Sequence, residues 1–188
     1  MKLDFRPLTG ENWADFEELF GRRGACGGCW CMWWRLPPAE YQKNRGEANR
    51  QSMKSLVSSA NPPGILAYGD GHAIGWCSVA PRRDFIRLEH SRSLKPVDDA
   101  DVWSVVCLFV HRTYRRRGVS VALLRAVARY VRSRGGRIVE GYPVEPKKVT
   151  MPDVFAWTGL RKAFEEAGFA DVTPPGRSRR IVRLVLRR

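Results

Sequence analysis

The sequence predicts a mixed α/β domain, in which a central sheet of about seven strands is flanked by about four helices. An apolar run at 105–110 is rich in β-branched residues, as a buried strand is, and it leads through a basic loop into a helix. In that helix the apolar residues fall four apart at 119, 123, 127 and 131, which gives it one buried face. A further strand at 137–144 follows the helix, so the two strands are expected to lie parallel.

The other elements are predicted from turn signals and from apolar periodicity. A tight turn at Gly69, Asp70 and Gly71 joins two strands into a hairpin. Pro7 is tolerated because the first strand is expected at a sheet edge. The predicted strands cover 3–8, 65–68, 72–79, 169–173 and 180–186, and the predicted helices cover 11–21, 38–59, a short turn near 84–88, and 153–167.

Length and composition favour one domain over residues 1–188. The chain has 44% apolar residues, enough to bury a sizeable core. No apolar run is long enough to cross a bilayer, and the first residues lack the apolar stretch of a signal peptide. The five cysteines are an odd number, which argues against a secreted disulfide framework. A cytoplasmic protein is therefore expected, without a membrane partner, as a monomer or a homodimer.

The net charge of +14 has two interpretations. The chain has 26 arginines and only seven lysines, which favours a general preference for arginine on solvated surfaces. The alternative is an anionic partner such as nucleic acid or the ribosome. The arginines near the C-terminus alternate with apolar residues, as on a half-exposed strand, and no nucleic-acid-binding motif is present. A nucleic-acid partner stays open but is not favoured.

The basic loop at 111–118 predicts an anion site. Arg115, Arg116 and Arg117 precede Gly118, and the long helix begins directly afterwards. A helix N-terminus offers unpaired N–H groups and the positive end of the helix dipole, and arginines add charge-assisted donors. The arrangement suits a pyrophosphate. The alternative is an ordinary strand, loop and helix with solvated arginines.

The spacing within this loop resembles a family motif. Arg115-x-x-Gly118-x-Ser120, after a strand that ends in Leu-Phe-Val, is similar to the acetyl-CoA motif of the GCN5-related N-acetyltransferases (GNAT). The family pattern is (Arg or Gln)-x-x-Gly-x-(Gly or Ala), from which Ser120 is a mild departure. The segment from Phe164 to Phe169 is similar to the family's Tyr-x-x-x-Gly-Phe, and the order of elements matches over nearly the whole chain.

The resemblance implies a GNAT-like fold with a splayed sheet and an acetyl-CoA-dependent N-acetyltransferase. The acceptor would be an amine of a small molecule or a peptide, and no metal is expected. The pantetheine would pair with the backbone of one core strand, and the pyrophosphate would lie in the basic loop. On this sequence the implied cofactor contacts are Leu108, Phe109 and Val110 for the pantetheine, and Arg115, Arg116, Arg117, Gly118, Val119 and Ser120 for the pyrophosphate.

Two departures leave the catalytic residues open. The position of the family's tyrosine general acid is Phe164, which has no proton to donate, and residues 102–110 contain no carboxylate. Glu140 is the nearest alternative base, although a structural charge at a strand end explains it equally well. Tyr142 is an alternative acid. A water-mediated base, simple positioning of the amine, or a CoA-binding sensor without catalysis also fit the sequence.

An unusual segment follows the first predicted helix. Cys26-x-x-Cys29-x-Cys31 supplies three thiols, whereas zinc takes four ligands, so buried structural thiols are favoured over a metal site. Trp30, Trp33 and Trp34 cluster here with Met32, between the first two helices, where GNAT proteins shape the acceptor pocket. We expect the three tryptophans to line an acceptor site; the alternative is ordinary core packing.

Overall fold

The computed structural model describes residues 1–59, 62–145 and 153–187. In these residues seven strands form one mixed sheet in the order β1-β2-β3-β4-β5-β7-β6. The strands are β1 (Leu3–Pro7), β2 (Gly64–Gly69), β3 (His72–Pro81), β4 (Trp103–Val110), β5 (Ile138–Gly141), β6 (Ala170–Asp171) and β7 (Val182–Val185). The predicted fold class is confirmed, including the parallel pairing of β4 with β5 and the edge position of β1.

The described residues contain six α-helices rather than about four. They are α1 (Trp13–Phe20), α2 (Pro38–Lys43), α3 (Glu47–Val57), α4 (Ile86–Glu89), α5 (Val119–Ser133) and α6 (Arg161–Glu166). None of them combines the length and the apolar character needed to cross a membrane.

The helix predicted over 38–59 is interrupted between α2 and α3. Gly46 has a φ of +90°, and its N–H donates to the carbonyl oxygen of Gly28 at 3.0 Å instead of continuing the helix. The side-chain amide of Asn49 donates to the same carbonyl at 3.1 Å. The break thus attaches the cysteine-containing segment to the start of α3. The helix predicted over 153–167 likewise divides into a 3-10 turn, Asp153–Ala156, and α6.

The sheet is covered on both faces. On one face α5 packs through Leu123, Val127 and Val131 against the apolar side chains of β2 to β5. Val119 and Leu123 approach the α-carbon of Gly75 so closely that a β-carbon there would lie 3.1 Å from Leu123. The other face is covered by α1, α3 and the tryptophan-containing segment. Each face therefore has an apolar core, and β4 lies between them.

The sheet opens between β4 and β5. The two strands pair only from Trp103 to Val105 on β4, opposite Val139 to Gly141 on β5. β4 then continues to Val110, whereas β5 ends at Gly141. One edge of β4 from Val106 onwards therefore has no partner strand in the described part of the chain, which is the splayed arrangement expected.

Candidate active site

The basic loop presents the N-terminus of α5 to solvent. Gly118 precedes the helix in the left-handed region, with a φ of +76° and a ψ of 3°, and no side chain caps the helix. The first turn contains no acidic residue, and Arg115, Arg116 and Arg117 are exposed around it. A 15-residue helix with an uncapped N-terminus and three cationic neighbours offers the N–H donors and the positive charge that suit an anion. Val119 is buried and holds this end of α5 on the sheet, while Ser120 is half-buried.

Successive residues of β4 direct their backbone N–H and C=O groups alternately to β3 and to the gap beside β5. The His111 N–H donates to the Ile74 carbonyl on β3 at 2.9 Å, and this sets the alternation of the antiparallel ladder. Phe109 lies opposite Trp76 and directs its backbone groups to β3. Leu108 and Val110 direct theirs into the gap beside β5. Three residues were predicted to contact the pantetheine through their backbone. Leu108 and Val110 face the gap, and Phe109 does not.

Other parts of the protein reach the gap edge of β4. The Leu108 N–H donates to the Trp157 carbonyl at 2.7 Å, and Trp34 Nε1 donates to the Val106 carbonyl at 3.1 Å. Nearer the loop, Arg115 Nε donates to the Val110 carbonyl at 3.0 Å. The edge therefore alternates donors and acceptors along the gap, as an extended chain of amides requires.

The three tryptophans divide between core and gap. Trp30 is 6% exposed and stacks on Phe20 at 5.9 Å, within the core between α1 and the sheet. Its placement is explained by packing. Trp34 and the half-buried Trp33 lie near Trp157, with ring centroids 5.7 and 6.3 Å from it. These three indoles cluster beside the opening of the sheet.

A guanidinium group lies on this aromatic cluster. The Arg87 guanidinium carbon is 3.8 Å from the centre of the Trp33 ring, and Arg87 Nε donates to the Leu36 carbonyl at 3.0 Å. Tyr41 packs edge-on to Trp33 at 5.1 Å. The cluster thus combines flat apolar surface with one cation.

Glu140 and Tyr142 are enclosed in a polar network. Both are fully buried, and the Tyr142 hydroxyl donates to Glu140 Oε1 at 2.6 Å. Arg82 Nη1 donates to the same oxygen at 3.2 Å, and Arg183 Nε donates to Glu140 Oε2 at 2.7 Å. Burial raises the pKa of Tyr142 well above its ordinary value, and the neighbouring Glu140 charge adds to this. Both oxygens of Glu140 are thus engaged by cations inside the protein.

This network joins distant parts of the chain. Arg82 Nη2 donates to the carbonyls of Leu88 and Leu94. Arg183 forms an ion pair with Asp98 at 2.7 Å. Residues 82–98 are mostly irregular, so these bonds attach them to β5 and β7. Glu140 therefore has a structural role, because its bonds to Arg82 and Arg183 help to hold these residues on the sheet.

Phe164 occupies a packing position. It is fully buried and meets Phe169 edge-on at 5.1 Å. A β-carbon on Gly141 would lie 2.2 Å from its ring, and one on Gly159 would lie 2.6 Å from it. Its ring therefore fills a space that two glycines leave open.

A group of thiols lies beside β4. Cys31 is buried and accepts a hydrogen bond from Trp76 Nε1 at 3.2 Å. Cys107 on β4 packs against the same core cluster. The nearby Arg35 is buried, and its Nη2 donates to the Pro63 carbonyl at 3.3 Å. In the described residues no group of three or more histidine, cysteine, aspartate or glutamate side chains is arranged to hold a metal ion.

Sequence reasoning missed several residues of the site. Cys107 and Trp157 are far in sequence from the residues that they contact, so no local pattern identifies them. A detectable signal existed for Arg35, which is a lone cation in an otherwise apolar stretch.

Comparison with known proteins places these features in a family. The model of the acetyltransferase (GNAT) family matches residues 30–146, which include β4, the basic loop, α5 and β5. The chain belongs to the acetyltransferase (GNAT) family. The expected enzyme class, an acyltransferase, is confirmed with it. No curated protein sequence matches the chain significantly.

Solved structures of GNAT proteins share the fold over nearly the whole chain. One is the PaiA N-acetyltransferase of Thermoplasma acidophilum in complex with coenzyme A, with 14% identity, a TM-score of 0.55, and coverage of 98% of this chain and 99% of that one. Another is the polyamine N-acetyltransferase of Drosophila melanogaster, with 13% identity, a TM-score of 0.60, and coverage of 98% and 100%. A third is AAC(6')-Iy in complex with a CoA-containing bisubstrate analogue, with 18% identity, a TM-score of 0.53, and coverage of 93% and 95%. At these identities the likeness is one of fold.

Proposed function

We propose that this protein is an acetyl-CoA-dependent N-acetyltransferase of one domain, which acetylates an amine of a small molecule or a peptide. The observation that carries the proposal is the uncapped N-terminus of α5, surrounded by three exposed arginines, at the end of the strand where the sheet opens. Five free cysteines fit a reducing compartment, so we also propose a cytoplasmic location.

The donor site consists of the loop and the free edge of β4. The first N–H groups of α5, from Val119 and Ser120, would hold the pyrophosphate, with Arg116 and Arg117 as neighbouring cations. Leu108 and Val110 would pair with the pantetheine, whose amides would replace the present contacts with Trp157 and Arg115. The bound thioester supplies an activated acetyl group, so the protein's task is to orient the amine and remove its proton.

The acceptor site is proposed at the aromatic cluster of Trp33, Trp34 and Trp157. These indoles adjoin the gap edge of β4, since Trp34 and Trp157 both bond to its backbone. Flat apolar walls suit an amine with an aromatic or alkyl body. Arg87 adds a cation to the cluster, which disfavours acceptors with a second positive charge and favours those with a carboxylate.

The test is acetyl transfer to a panel of amines. Purified protein is incubated with acetyl-CoA and, separately, tryptamine, tryptophan, spermidine, agmatine, an aminoglycoside and a peptide with a free N-terminus. Released CoA thiol and the acetylated product are measured, and binding of acetyl-CoA and of duplex DNA is measured by calorimetry. Transfer to any amine supports the proposal. CoA binding without transfer indicates a sensor, and DNA binding without CoA binding contradicts the proposed donor site.

A further inference from the structure

One long stretch of the chain carries positive charge alone. Residues 102–139, which contain β4, the basic loop and α5, hold nine arginines and no aspartate or glutamate. The whole chain has 19 acidic residues in 188, so about four are expected in a stretch of this length. A general preference for arginine explains the kind of cation, but it does not explain the missing carboxylates. The proposed donor site uses only the arginines of the basic loop.

The outer side of α5 carries three of these arginines. Arg125, Arg129 and Arg132 are exposed, and their spacing of four and three residues places them on one side of the helix. Arg132 lies in the last turn, where a cation complements the helix dipole. The dipole does not explain the other two. Like charges at these spacings repel each other, and α5 contains no acidic residue that would offset them.

A groove lies between α5 and the end of β7, and its volume is about 220 Å³. Its lining consists of Ala128, Arg129, Arg132, Val185, Leu186 and Arg187. Arginines therefore stand on both the helix side and the strand side, and the other lining residues are apolar. The Leu186 N–H donates to the Arg137 carbonyl at 2.8 Å, which holds this part of the chain beside the start of β5. We refer to this feature as the arginine groove.

The three cations of the arginine groove have no counter-ion in the described part of the chain. Arg129, Arg132 and Arg187 are exposed, and among the described residues their side chains form no ion pair or hydrogen bond. Arg125, one turn earlier on α5, instead donates from Nη2 to the Glu166 carbonyl at 2.7 Å, so it is attached to the end of α6. The groove thus offers three guanidinium groups to a ligand.

The composition of the arginine groove suits the backbone of a nucleic acid. Interfaces with nucleic acids are much more positively charged than interfaces between proteins, whose centres are depleted in charged residues and enriched in aromatic ones. The lining has three guanidinium groups and no aromatic ring. A guanidinium can bind two phosphate oxygens at once. Single strands stack their bases on aromatic side chains, so a groove without aromatic rings favours a duplex.

A membrane surface fits this side of the protein less well. A helix that lies on a membrane turns its apolar side chains towards the lipid. The apolar side of α5 instead packs on the sheet, through Leu123, Val127 and Val131. Val185, 68% exposed, is the one exposed apolar residue of the groove lining, and a single side chain offers little area for insertion into lipid.

We propose that the arginine groove binds the phosphate backbone of a duplex nucleic acid without reading its sequence. The guanidinium N–H groups of Arg129, Arg132 and Arg187 donate to phosphate oxygens, and the counterions bound to those phosphates are released. Arg129 and Arg132 lie about 15–20 Å along the helix axis from Val119, at the first turn of α5. The duplex site is therefore separate from the proposed donor site, which stays open to acetyl-CoA.

Fluorescence anisotropy of labelled duplex DNA and duplex RNA, measured at several salt concentrations, tests the proposal. We expect the logarithm of the binding constant to fall linearly with the logarithm of the salt concentration, with a slope of about −3 for three neutralised phosphates. Binding of either duplex supports the proposal and shows which helix form the groove accepts. A wild-type protein that binds neither duplex, or binds without dependence on salt, overturns it.

A double variant, Arg129→Gln with Arg132→Gln, removes two of the three cations and keeps a similar helix propensity. We expect duplex affinity to fall about 10-fold or more at about 0.1 M salt, and the slope to become shallower by roughly 2. Arg129→Lys with Arg132→Lys keeps the charge and should recover the slope of the wild type. A lysine variant with a slope as shallow as that of the glutamine variant overturns the proposal.

Arg22→Gln with Arg23→Gln is the matched control for net charge. Both arginines are exposed and follow α1, which covers the opposite face of the sheet, so this variant loses the same two charges away from the groove. Its duplex affinity should stay within ~2-fold of the wild type, because salt screens distant charges. Equal losses in the two glutamine variants would show that net charge alone attracts the duplex, which overturns the proposal.

Competition separates the arginine groove from the basic loop and from other anionic partners. Saturating CoA should leave duplex affinity unchanged, and displacement of the duplex by CoA overturns the assignment to the groove. Polyglutamate and vesicles that contain phosphatidylserine should each bind more weakly than the duplex. If either binds more tightly than the duplex and loses that affinity in the glutamine variant of Arg129 and Arg132, the nucleic-acid partner is wrong.

Discussion

Substitution of Glu140 by glutamine tests whether this carboxylate stabilises the fold or removes a proton. The side chain is fully buried and takes part in three hydrogen bonds, with Arg82, Arg183 and Tyr142. The amide keeps the shape of the side chain but removes the charge, which leaves two buried guanidinium groups partly uncompensated. Removing one partner of a buried ion pair costs about 3–5 kcal/mol.

The lower end of that range applies here. Arg82 keeps its bonds to two carbonyls and to Glu89, and Arg183 keeps Asp98. We therefore expect a loss of about 3 kcal/mol in the free energy of unfolding, which for a chain of this length lowers Tm by roughly 6–12 °C. Thermal and urea unfolding measure both quantities.

Glu89→Gln is the matched control. Glu89 pairs with the same arginine, at 2.8 Å, but its side chain is 41% exposed. The control should lose less than ~1 kcal/mol. At a temperature where both variants are folded, Glu140→Gln should keep its rate of acetyl transfer. If Glu140 were the general base, its removal would lower the rate about 10²–10⁴-fold. A rate loss of this size with an unchanged Tm would refute the structural role.

Two further outcomes are expected. Gly118→Val should weaken CoA binding by roughly 5- to 30-fold, because a side chain at this left-handed position costs about 1–2 kcal/mol. Gly176→Val is the control, since Gly176 has a φ of +81° but is not part of the loop, and it should leave the dissociation constant from calorimetry unchanged. Trp33→Ala should raise the acceptor KM and leave acetyl-CoA binding intact. The buried Trp30 provides the comparison: Trp30→Ala should lower the free energy of unfolding by about 3–5 kcal/mol. Equal stability losses in the two variants would contradict the acceptor assignment.

The elements with strong local signals were predictable from sequence. The apolar run of β4, the four-residue periodicity of α5 and the glycine before it are contiguous, so each could be identified without tertiary information. The parallel pairing of β4 with β5 followed from the long helix between them. The break between α2 and α3 depends instead on a bond from Gly46 to Gly28, which no helix propensity indicates.

The chemistry of the acceptor side was less accessible to sequence reasoning. Cys31 lies in the segment after α1 and Cys107 lies on β4, and only the fold places both in one core cluster. The motif around Cys31 indicated either a metal site or buried structural thiols. Among the described residues Arg35 is buried without a carboxylate partner, and this follows only from the tertiary structure. Glu140 was singled out as a candidate base or a structural charge, but its two arginine partners come from separate parts of the chain.

Hydrogen exchange with and without CoA tests the proposed donor site most directly. The amides of Val119, Ser120 and Val121 form the first turn of an uncapped helix and should exchange fast in the free protein. Saturating CoA should slow these three amides and that of Val110, because each lies at the proposed donor site, while duplex DNA should leave them unchanged. If CoA leaves the exchange of these amides unaltered, or slows exchange only elsewhere in the chain, the proposed donor site is contradicted.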